Sequence, residues 1–180
     1  MRASTLESDL ASSAAIEAGT IEPSSFGLVY EQHRLSVYRY LRGRTRSDDD
    51  ALDLTAVTFE RAYRSLGKFS ARDGGIHAWL LRIARNAAID AHRRRRSTDD
   101  LGVADARLRQ MAVDSDRRAQ EHVEILDLVS RLPADQRDAL LLRYAGGLTA
   151  REIGAVIGKR EAAVQKHIER ALSALREAFR

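Results

Sequence analysis

Residues 149–175 read TAREIGAVIGKREAAVQKHIERALSAL, a pattern that predicts two helices joined by a glycine turn. Thr149 and Glu152 have the spacing of a capping box, in which each side chain satisfies a free backbone donor of the other residue. Gly158 stands where the first helix should end. Apolar residues then recur at the helical period, at Val164, Ile168 and Leu172. The spacing fits a helix-turn-helix, and it fits an ordinary helical hairpin equally well.

The second of these helices has a polar face that a partner could contact. If its apolar residues are buried, a helical wheel places six residues on the opposite face: Glu161, Ala162, Gln165, Lys166, Glu169 and Arg170. Gln165, Lys166 and Arg170 carry donors that suit base edges or phosphates in a DNA major groove. This face is therefore either a DNA-reading surface or the solvated side of a hairpin.

Helical periodicity also marks the rest of the chain. Apolar stripes occur over residues 26–46, 54–66 and 76–95 and again over residues 125–144. Asp48 to Asp50 stand where the second of these helices should begin, which favours its dipole. Strand-like alternation is nearly absent, and only two Pro interrupt a chain rich in Ala, Leu and Arg. We therefore predict an all-α fold.

Composition divides the chain into four segments. Residues 1–25 are rich in Ser and Ala and are predicted to be a flexible tail, and residues 26–96 form a first helical domain. Residues 97–120 are polar and are predicted to be a flexible linker, followed by a second helical domain over residues 121–180. A linker of about 24 residues can extend to about 80 Å, since each residue spans up to roughly 3.4 Å. That reach exceeds two turns of duplex DNA at about 35 Å each.

Composition also excludes several classes of protein. The 180 residues contain no Cys, which rules out disulfides, thiolate metal sites and thiol catalysis. No signal peptide and no uncharged run of membrane-spanning length is recognisable, so we expect a cytoplasmic protein. The five His lack the spacing of metal ligands, and no Ser/His/Asp or glycine-rich phosphate motif occurs. We expect neither an enzyme nor a cofactor.

Positive charge is concentrated in the first helical domain. Residues 26–96 carry 15 basic and 8 acidic residues, a net charge of +7 in a chain whose total is +4. The basic run HRRRR at residues 92–96 follows a segment that contains Phe69, His77 and Trp79. Cations follow a nucleic-acid backbone while rings stack on bases, so this combination suits a single strand. Alternatively, the arginines offset the helix dipole. For Trp79 itself, a place in the core is the favoured interpretation.

Four carboxylates stand close together at Asp48, Asp49, Asp50 and Asp53. Such a cluster could hold a divalent cation, as a metal-dependent nuclease would require. The glycine and the terminal Glu of a calcium loop are missing, and no substrate-binding motif accompanies the cluster. Helix capping is therefore the favoured interpretation.

Three segments, in this order, resemble bacterial sigma factors. Residues 50–62 (DALDLTAVTFERA) are similar to the family pattern DAEDLTQETFxRA. Residues 79–94 (WLLRIARNAAIDAHRR) are similar to WLxRIARNxxxDxxRR, and residues 132–148 (LPADQRDALLLRYAGGL) to LPxxxRxxxxLRYxxGL. Because only two domains are present, the resemblance is to the extracytoplasmic-function group, the smallest of these factors.

The resemblance implies a fold, a function and partners. It implies a region 2 helical bundle over residues 26–96 and a region 4 helix-turn-helix over residues 121–180. It implies binding to the clamp helices and flap of core RNA polymerase, recognition of the minus-thirty-five and minus-ten promoter elements, and DNA melting. Promoter DNA, both duplex and single-stranded, and an anti-sigma factor are the other expected partners, and no membrane insertion is expected. The alternative is a conventional helix-turn-helix regulator that acts without core polymerase.

The resemblance also implies which residues contact each partner. Residues expected at the polymerase clamp are Asp53, Leu54, Thr55, Phe59 and Tyr63. Residues expected at the minus-ten element are Lys68, Phe69, His77, Arg82, Arg85, Asn86, Arg93 and Arg94. Of these, Arg82, Arg85 and Asn86 are expected to hold an extruded base. Residues expected at the minus-thirty-five element are Arg160, Gln165, Lys166, His167 and Arg170.

Two segments depart from the family pattern. The usual Gln-Glu of the clamp-binding helix is Ala56-Val57, which removes part of a polar contact. The usual GTVKSRL of the recognition helix is AAVQKHI at residues 162–168, and Lys159 replaces a residue that is usually apolar. A promoter sequence therefore cannot be transferred from other members of the family.

Overall fold

Helices dominate the structure, a computed structural model that describes residues 21–70, 74–99 and 117–179. The α-helices are α1 (Phe26–Arg42), α2 (Asp48–Arg64), α3 (Gly75–Asp99), α4 (Arg117–Arg131), α5 (Ala134–Tyr144), α6 (Ala150–Ile157) and α7 (Glu161–Ala178). Single 3-10 turns occupy Pro23–Ser25 and Leu66–Lys68. These ranges contain no strand, and the all-α prediction is confirmed. Within them, every helix is too short or too polar to cross a membrane.

The first domain is a bundle of α1, α2 and α3. α1 contributes Val29, Val37 and Leu41, which are completely buried. α2 begins where the sequence predicts, because the Ser47 hydroxyl accepts a hydrogen bond from the Asp50 N–H. Three aspartates in its first turn complement the helix dipole.

Trp79 anchors α3 in this bundle. Its side chain is only 6% exposed, and its ring centroid lies 5.3 Å from that of Phe69. Nearer the other end of α3, Arg61 Nη1 in α2 donates to Asp90 Oδ2 at 3.0 Å. An apolar anchor and a polar contact therefore fix α3 along its length, and the prediction that Trp79 belongs to the core is confirmed.

The second domain contains the predicted helix-turn-helix in α6 and α7. Thr149 and Glu152 form the capping box reciprocally, and Gly158 ends α6 with a left-handed φ of 69°. The turn is tight, because an added Cβ at Gly154 would lie only 2.6 Å from the Lys159 carbonyl oxygen. Glycine thus allows the chain after α6 to fold back against that helix.

The two domains pack against each other, which the sequence did not predict. α1 and α3 meet α5 and α6, and the buried residues of both domains form one continuous core. Two glycines allow the close approach. An added Cβ at Gly43 would overlap the Leu141 side chain, and one at Gly146 would lie 2.9 Å from Leu81 Cδ1.

The predicted tail and linker fall largely outside the described residues, which omit 1–20 and 100–116. The ends that the structure does describe belong to the fold. Ile21, which we assigned to the tail, is buried in the core of the first domain. α3 continues to Asp99 and α4 begins at Arg117, so helices extend into both ends of the predicted linker.

Candidate nucleic-acid interface

The outward face of α7 is exposed as the helical wheel predicts. Val164 is completely buried on the opposite side of the helix. Six residues on the outward face are exposed: Glu161, Ala162, Gln165, Lys166, Glu169 and Arg170. Gln165, Lys166 and Arg170 therefore form a solvent-facing surface with amide, ammonium and guanidinium donors. These are the groups that hydrogen-bond base edges and phosphates in a major groove.

The other two residues expected at the minus-thirty-five element differ in exposure. Arg160 is exposed at the N-cap of α7, where it can reach a backbone phosphate. His167 is half-buried, and its Nδ1 is buried without a hydrogen-bond partner in the described part of the chain. The His167 ring is therefore turned partly toward the protein.

α3 presents a second polar face. Asn86, Arg93 and Arg94 are exposed, and their spacing of seven and eight residues places them on one side of the helix. Asp90 lies between them. Its Oδ2 pairs with Arg61, and its Oδ1 is 3.9 Å from Arg93 Nη2. The Asn86 amide supplies both a donor and an acceptor, as recognition of an unpaired base requires.

The segment before α3 contains one exposed and one buried candidate. Lys68 is exposed at the end of the second 3-10 turn. Phe69 is only 9% exposed and packs against Trp79. The Phe69 ring would have to leave this core contact to stack on a base. Residues 71–73 of the predicted loop lie outside the described residues.

Three further minus-ten candidates contact the second domain. His77 Nε2 lies 2.5 Å from the carbonyl oxygen of Gly146, which follows α5. Arg82 Nη2 donates to the Ala155 carbonyl of α6 at 3.4 Å. Arg85 Nε donates to the Asp138 carboxylate of α5 at 2.8 Å. The inner side of α3 is therefore covered by the domain that contains α7.

Asp138 is the centre of this contact. Its carboxylate is only 2% exposed and pairs with both Arg44 and Arg85. The Tyr40 hydroxyl donates to Asp138 Oδ1 at 3.4 Å, and burial raises the pKa of Tyr40, which keeps this donor protonated. A buried carboxylate is costly unless it is paired and hydrogen-bonded, and these three residues meet that need.

A histidine pair lies beside this contact. The rings of His33 in α1 and His77 in α3 are stacked, with their Nδ1 atoms 3.1 Å apart. Since His77 Nε2 faces a carbonyl, it donates there, and His77 Nδ1 accepts from the His33 Nδ1–H. Burial and, to a smaller extent, the neighbouring His77 lower the pKa of His33 to about 4.

The residues expected at the polymerase clamp divide by exposure. Leu54, Thr55 and Phe59 are buried, and the Thr55 hydroxyl donates to the Ala51 carbonyl at 2.7 Å. Asp53 and Tyr63 are exposed on α2. The three buried side chains therefore hold α2 in the bundle, while Asp53 and Tyr63 are available for contact.

Sequence reasoning missed two apolar residues near this surface. Leu52 on α2 is 56% exposed, and Tyr30 on α1 is also exposed. The Tyr30 ring lies 4.8 Å from that of Phe59, and the Tyr63 ring lies 5.2 Å from that of Phe26. Together these rings form an aromatic cluster with a solvent-facing edge. The signal for Leu52 was its spacing of eleven residues, about three turns, from Tyr63.

The carboxylates at the start of α2 bind protein groups. Asp48 accepts a hydrogen bond from the Tyr38 hydroxyl at 3.0 Å and pairs with Arg42, and Asp50 pairs with Arg95. Among the described residues, no group of three or more His, Asp or Glu is placed to hold a metal ion. These contacts hold the start of α2 against α1 and α3, while the side-chain cap of α2 is the Ser47 hydroxyl.

Family models match both domains. The model for Sigma-70 region 2 matches residues 29–98, and the model for Sigma-70 region 4 matches residues 122–175. The two regions occur in the order that the sequence predicted, one for each domain. The fold and the two polar helix faces therefore belong to a protein of the sigma-70 class.

Whole-chain relatives define the group more closely. ECF RNA polymerase sigma factor SigM of Bacillus subtilis is 31% identical over 156 residues, which is 84% of this chain and 93% of SigM. ECF RNA polymerase sigma factor BldN of Streptomyces coelicolor is 32% identical over 158 residues, or 86% of this chain. The match spans only 60% of the length of BldN. The chain belongs to the ECF RNA polymerase sigma factors.

A solved structure supports the fold. The sigma factor RpoE, in complex with the anti-sigma factor NepR from Bartonella quintana, superposes with a TM-score of 0.68. The match covers 84% of this chain and 94% of that chain, with 21% sequence identity. At this identity, the comparison establishes a shared fold.

Proposed function

We propose that this chain binds core RNA polymerase, recognises the minus-thirty-five and minus-ten promoter elements, and promotes DNA melting. The observation that carries the proposal is the presence of two polar helix faces, on α3 and α7, in domains that match sigma regions 2 and 4. A regulator that acts through its helix-turn-helix alone has no need for the first of these faces.

Duplex recognition is assigned to α7. Gln165 and Lys166 would contact base edges, while Arg160 and Arg170 would contact phosphates and fix the orientation of the helix. His167 is half-buried and is the weakest candidate of the predicted set for direct contact. Each well-placed pair of hydrogen bonds to a base discriminates by about 1–3 kcal/mol.

Melting is assigned to the outer face of α3. Asn86 would bind an extruded base of the minus-ten element, and Arg93, Arg94 and Lys68 would follow the phosphate backbone. Capture of the base offsets the cost of unstacking, which is about a few kcal/mol per base. Phe69 supports this helix from the core through Trp79. Arg82, Arg85 and His77 complete the surface once the second domain moves away from them.

Polymerase binding is assigned to exposed residues of α2. Asp53, Tyr63 and Leu52 would face the clamp helices, and the aromatic cluster beneath Tyr63 would hold that ring in place. The second domain would contact the flap. An anti-sigma factor is a further proposed partner, supported by the fold shared with RpoE, which was solved with one. The proposed site of action is the cytoplasm, where the polymerase is found.

Run-off transcription from a promoter library, with core polymerase and with or without this chain, tests the proposal. We expect promoter-specific transcripts only when both are present. Specific binding to duplex DNA at about nanomolar concentration without polymerase, at physiological salt, would instead indicate a self-sufficient regulator.

The role of Asn86 can be tested in the same assay. We expect Asn86→Ala to reduce transcription from duplex promoters and to have a smaller effect when the minus-ten region is already mismatched, because no base pair must then be opened. Gln32→Ala removes another exposed amide, on α1, and serves as the matched control. An equal defect of Asn86→Ala on both templates would exclude it from melting.

A further inference from the structure

We propose that Asp138 holds the two domains in a self-inhibited closed state, in which the second domain covers cationic residues that single-stranded DNA would otherwise contact. The inhibitory role rests on the proposed function of α3 in binding minus-ten DNA. The closed arrangement itself rests on the contacts between the domains.

Asp138 makes its polar contacts across the boundary between the domains. It belongs to α5, yet its described partners, Tyr40, Arg44 and Arg85, all belong to the first domain. Without that domain the carboxylate would need water or other partners, because an unpaired buried charge is costly. A neighbouring carboxylate behaves differently. Asp135 of α5 pairs with Lys159 of the same domain at 3.2 Å, and both side chains are partly exposed.

The contact competes directly with DNA. Arg85 Nε is bound by Asp138 Oδ2 at 2.8 Å. Carboxylate and phosphate oxygens are both anionic acceptors for a guanidinium N–H, so Asp138 occupies the Arg85 Nε–H as a phosphate oxygen would. His77 is likewise covered, through the Gly146 carbonyl. Asn86, Arg93 and Arg94 remain exposed, so the closed state blocks part of the minus-ten surface and leaves the rest open.

The closed state is reversible. When the domains separate, water solvates Asp138, Arg44 and Arg85, which recovers part of the energy of their pairing. A chain that is mostly closed has an apparent affinity for DNA reduced by the fraction that is open. A partner that binds the separated domains, as core polymerase is proposed to do, shifts the population toward the open form.

The first test measures binding of the free, full-length chain to a labelled single-stranded DNA pool of roughly 12 nucleotides at fixed salt. Asp138→Asn removes the charge and keeps the shape of the side chain. We expect it to bind the pool about ten-fold more tightly, as the open fraction rises. Asp135→Asn, on the same helix, should bind like the unmodified chain. Circular dichroism establishes that both variants are folded. A folded Asp138→Asn chain with unchanged affinity would overturn the proposal.

A second test locks the domains together. The chain contains no Cys, so Gly43→Cys with Leu141→Cys introduces a single pair. An added Cβ at Gly43 lies 3.2 Å from Leu141 Cγ, which places the two introduced thiols within reach of a disulfide. We expect the pair to oxidise in the folded chain and the oxidised form to bind the DNA pool about ten-fold more weakly than the reduced form. Reduction should restore binding, and it controls for the loss of the Leu141 side chain.

The outcomes separate this inference from the proposed function. Failure of the cysteines to form a disulfide would show that the domains do not close, whatever the chain does. Formation of the disulfide without loss of DNA binding would show that closure is not inhibitory. If run-off assays fail for the reduced and unmodified chains alike, the proposed function is wrong. The disulfide yield and the affinity for the DNA pool would still decide whether the closed state exists.

Discussion

α3 and α7 carry the two candidate DNA faces of this chain, and their surroundings differ. The outward face of α7 is exposed along its length. α3 is divided, with Asn86 and Arg93 in solvent and Arg85 and His77 against the second domain. The periodicity of a helix indicates which residues face away from the core of its own domain. It does not indicate whether another domain covers them.

The two helices also differ in how they are held. α7 packs through aliphatic side chains such as Val164, and its polar residues are left to solvent. α3 is anchored by Trp79 on one side and makes polar contacts with α5 and α6 on another. Breaking the apolar anchor should therefore cost much more stability than changing an exposed polar residue of the same helix.

The largest expected effect is the loss of this anchor. We expect Trp79→Ala to lower the free energy of unfolding by about 3–5 kcal/mol, the range for truncation of a buried aromatic residue. Asn86→Ala, an exposed change on the same helix, should alter it by no more than about 0.5 kcal/mol. Urea unfolding followed by circular dichroism measures both. Equal effects would mean that α3 is not anchored as described.

Features that depend on neighbours three or four residues apart could be predicted from the sequence. The capping box of Thr149 and Glu152, the aspartates that begin α2, and the exposed face containing Gln165 and Lys166 all follow from such spacing. Trp79 was predicted to be buried because its aliphatic neighbours recur at the helical period.

The remaining features depend on packing between distant segments. The sequence did not reveal that Thr55 is buried, since its hydroxyl is satisfied by its own helix through the Ala51 carbonyl. It did not reveal that Phe69 packs on Trp79. The contact of Asp138 with Tyr40 joins residues 98 positions apart, and no local sequence pattern predicts such a pair. The contacts of Asp138 are therefore visible only in the structure.

The next largest effect concerns what each helix face recognises. We expect Gln165→Ala and Lys166→Ala to change which minus-thirty-five sequences are used, since a base contact discriminates by about 1–3 kcal/mol. Arg93→Ala and Arg94→Ala should weaken binding to all promoters alike, because phosphate contacts carry no sequence information. Sequencing of transcripts from a randomised promoter library measures both preference and yield.

Arg176→Ala provides a control for the loss of charge. Arg176 is exposed in the last turn of α7, away from Gln165 and Lys166, so its removal should leave sequence preference unchanged. If changes at Gln165 and Lys166 also leave the preference unchanged, the outward face of α7 does not read bases. The difference proposed between α3 and α7 would then have to be abandoned.

The smallest effect is a pH dependence on the α3 side of the molecule. The pKa of His33 is about 4 in the folded chain, below its ordinary value of 6.5, because the ring is half-buried and faces His77. Between these two pH values the unfolded chain binds more protons at His33 than the folded chain does. The free energy of unfolding therefore falls as the pH drops from 6.5 toward 4.

A His33→Gln variant isolates this contribution. Because water screens the half-buried His33 ring in part, we expect a contribution of about 1–2 kcal/mol. Between about pH 7 and about pH 4.5, the unmodified chain should lose more stability than His33→Gln by most of that amount. Urea unfolding at the two pH values measures the difference, and the glutamine amide can still donate to His77 Nδ1. Parallel losses in the two proteins would mean that water reaches the His33 ring freely. The region where α3 meets the second domain would then be as accessible to water as the exposed face of α7.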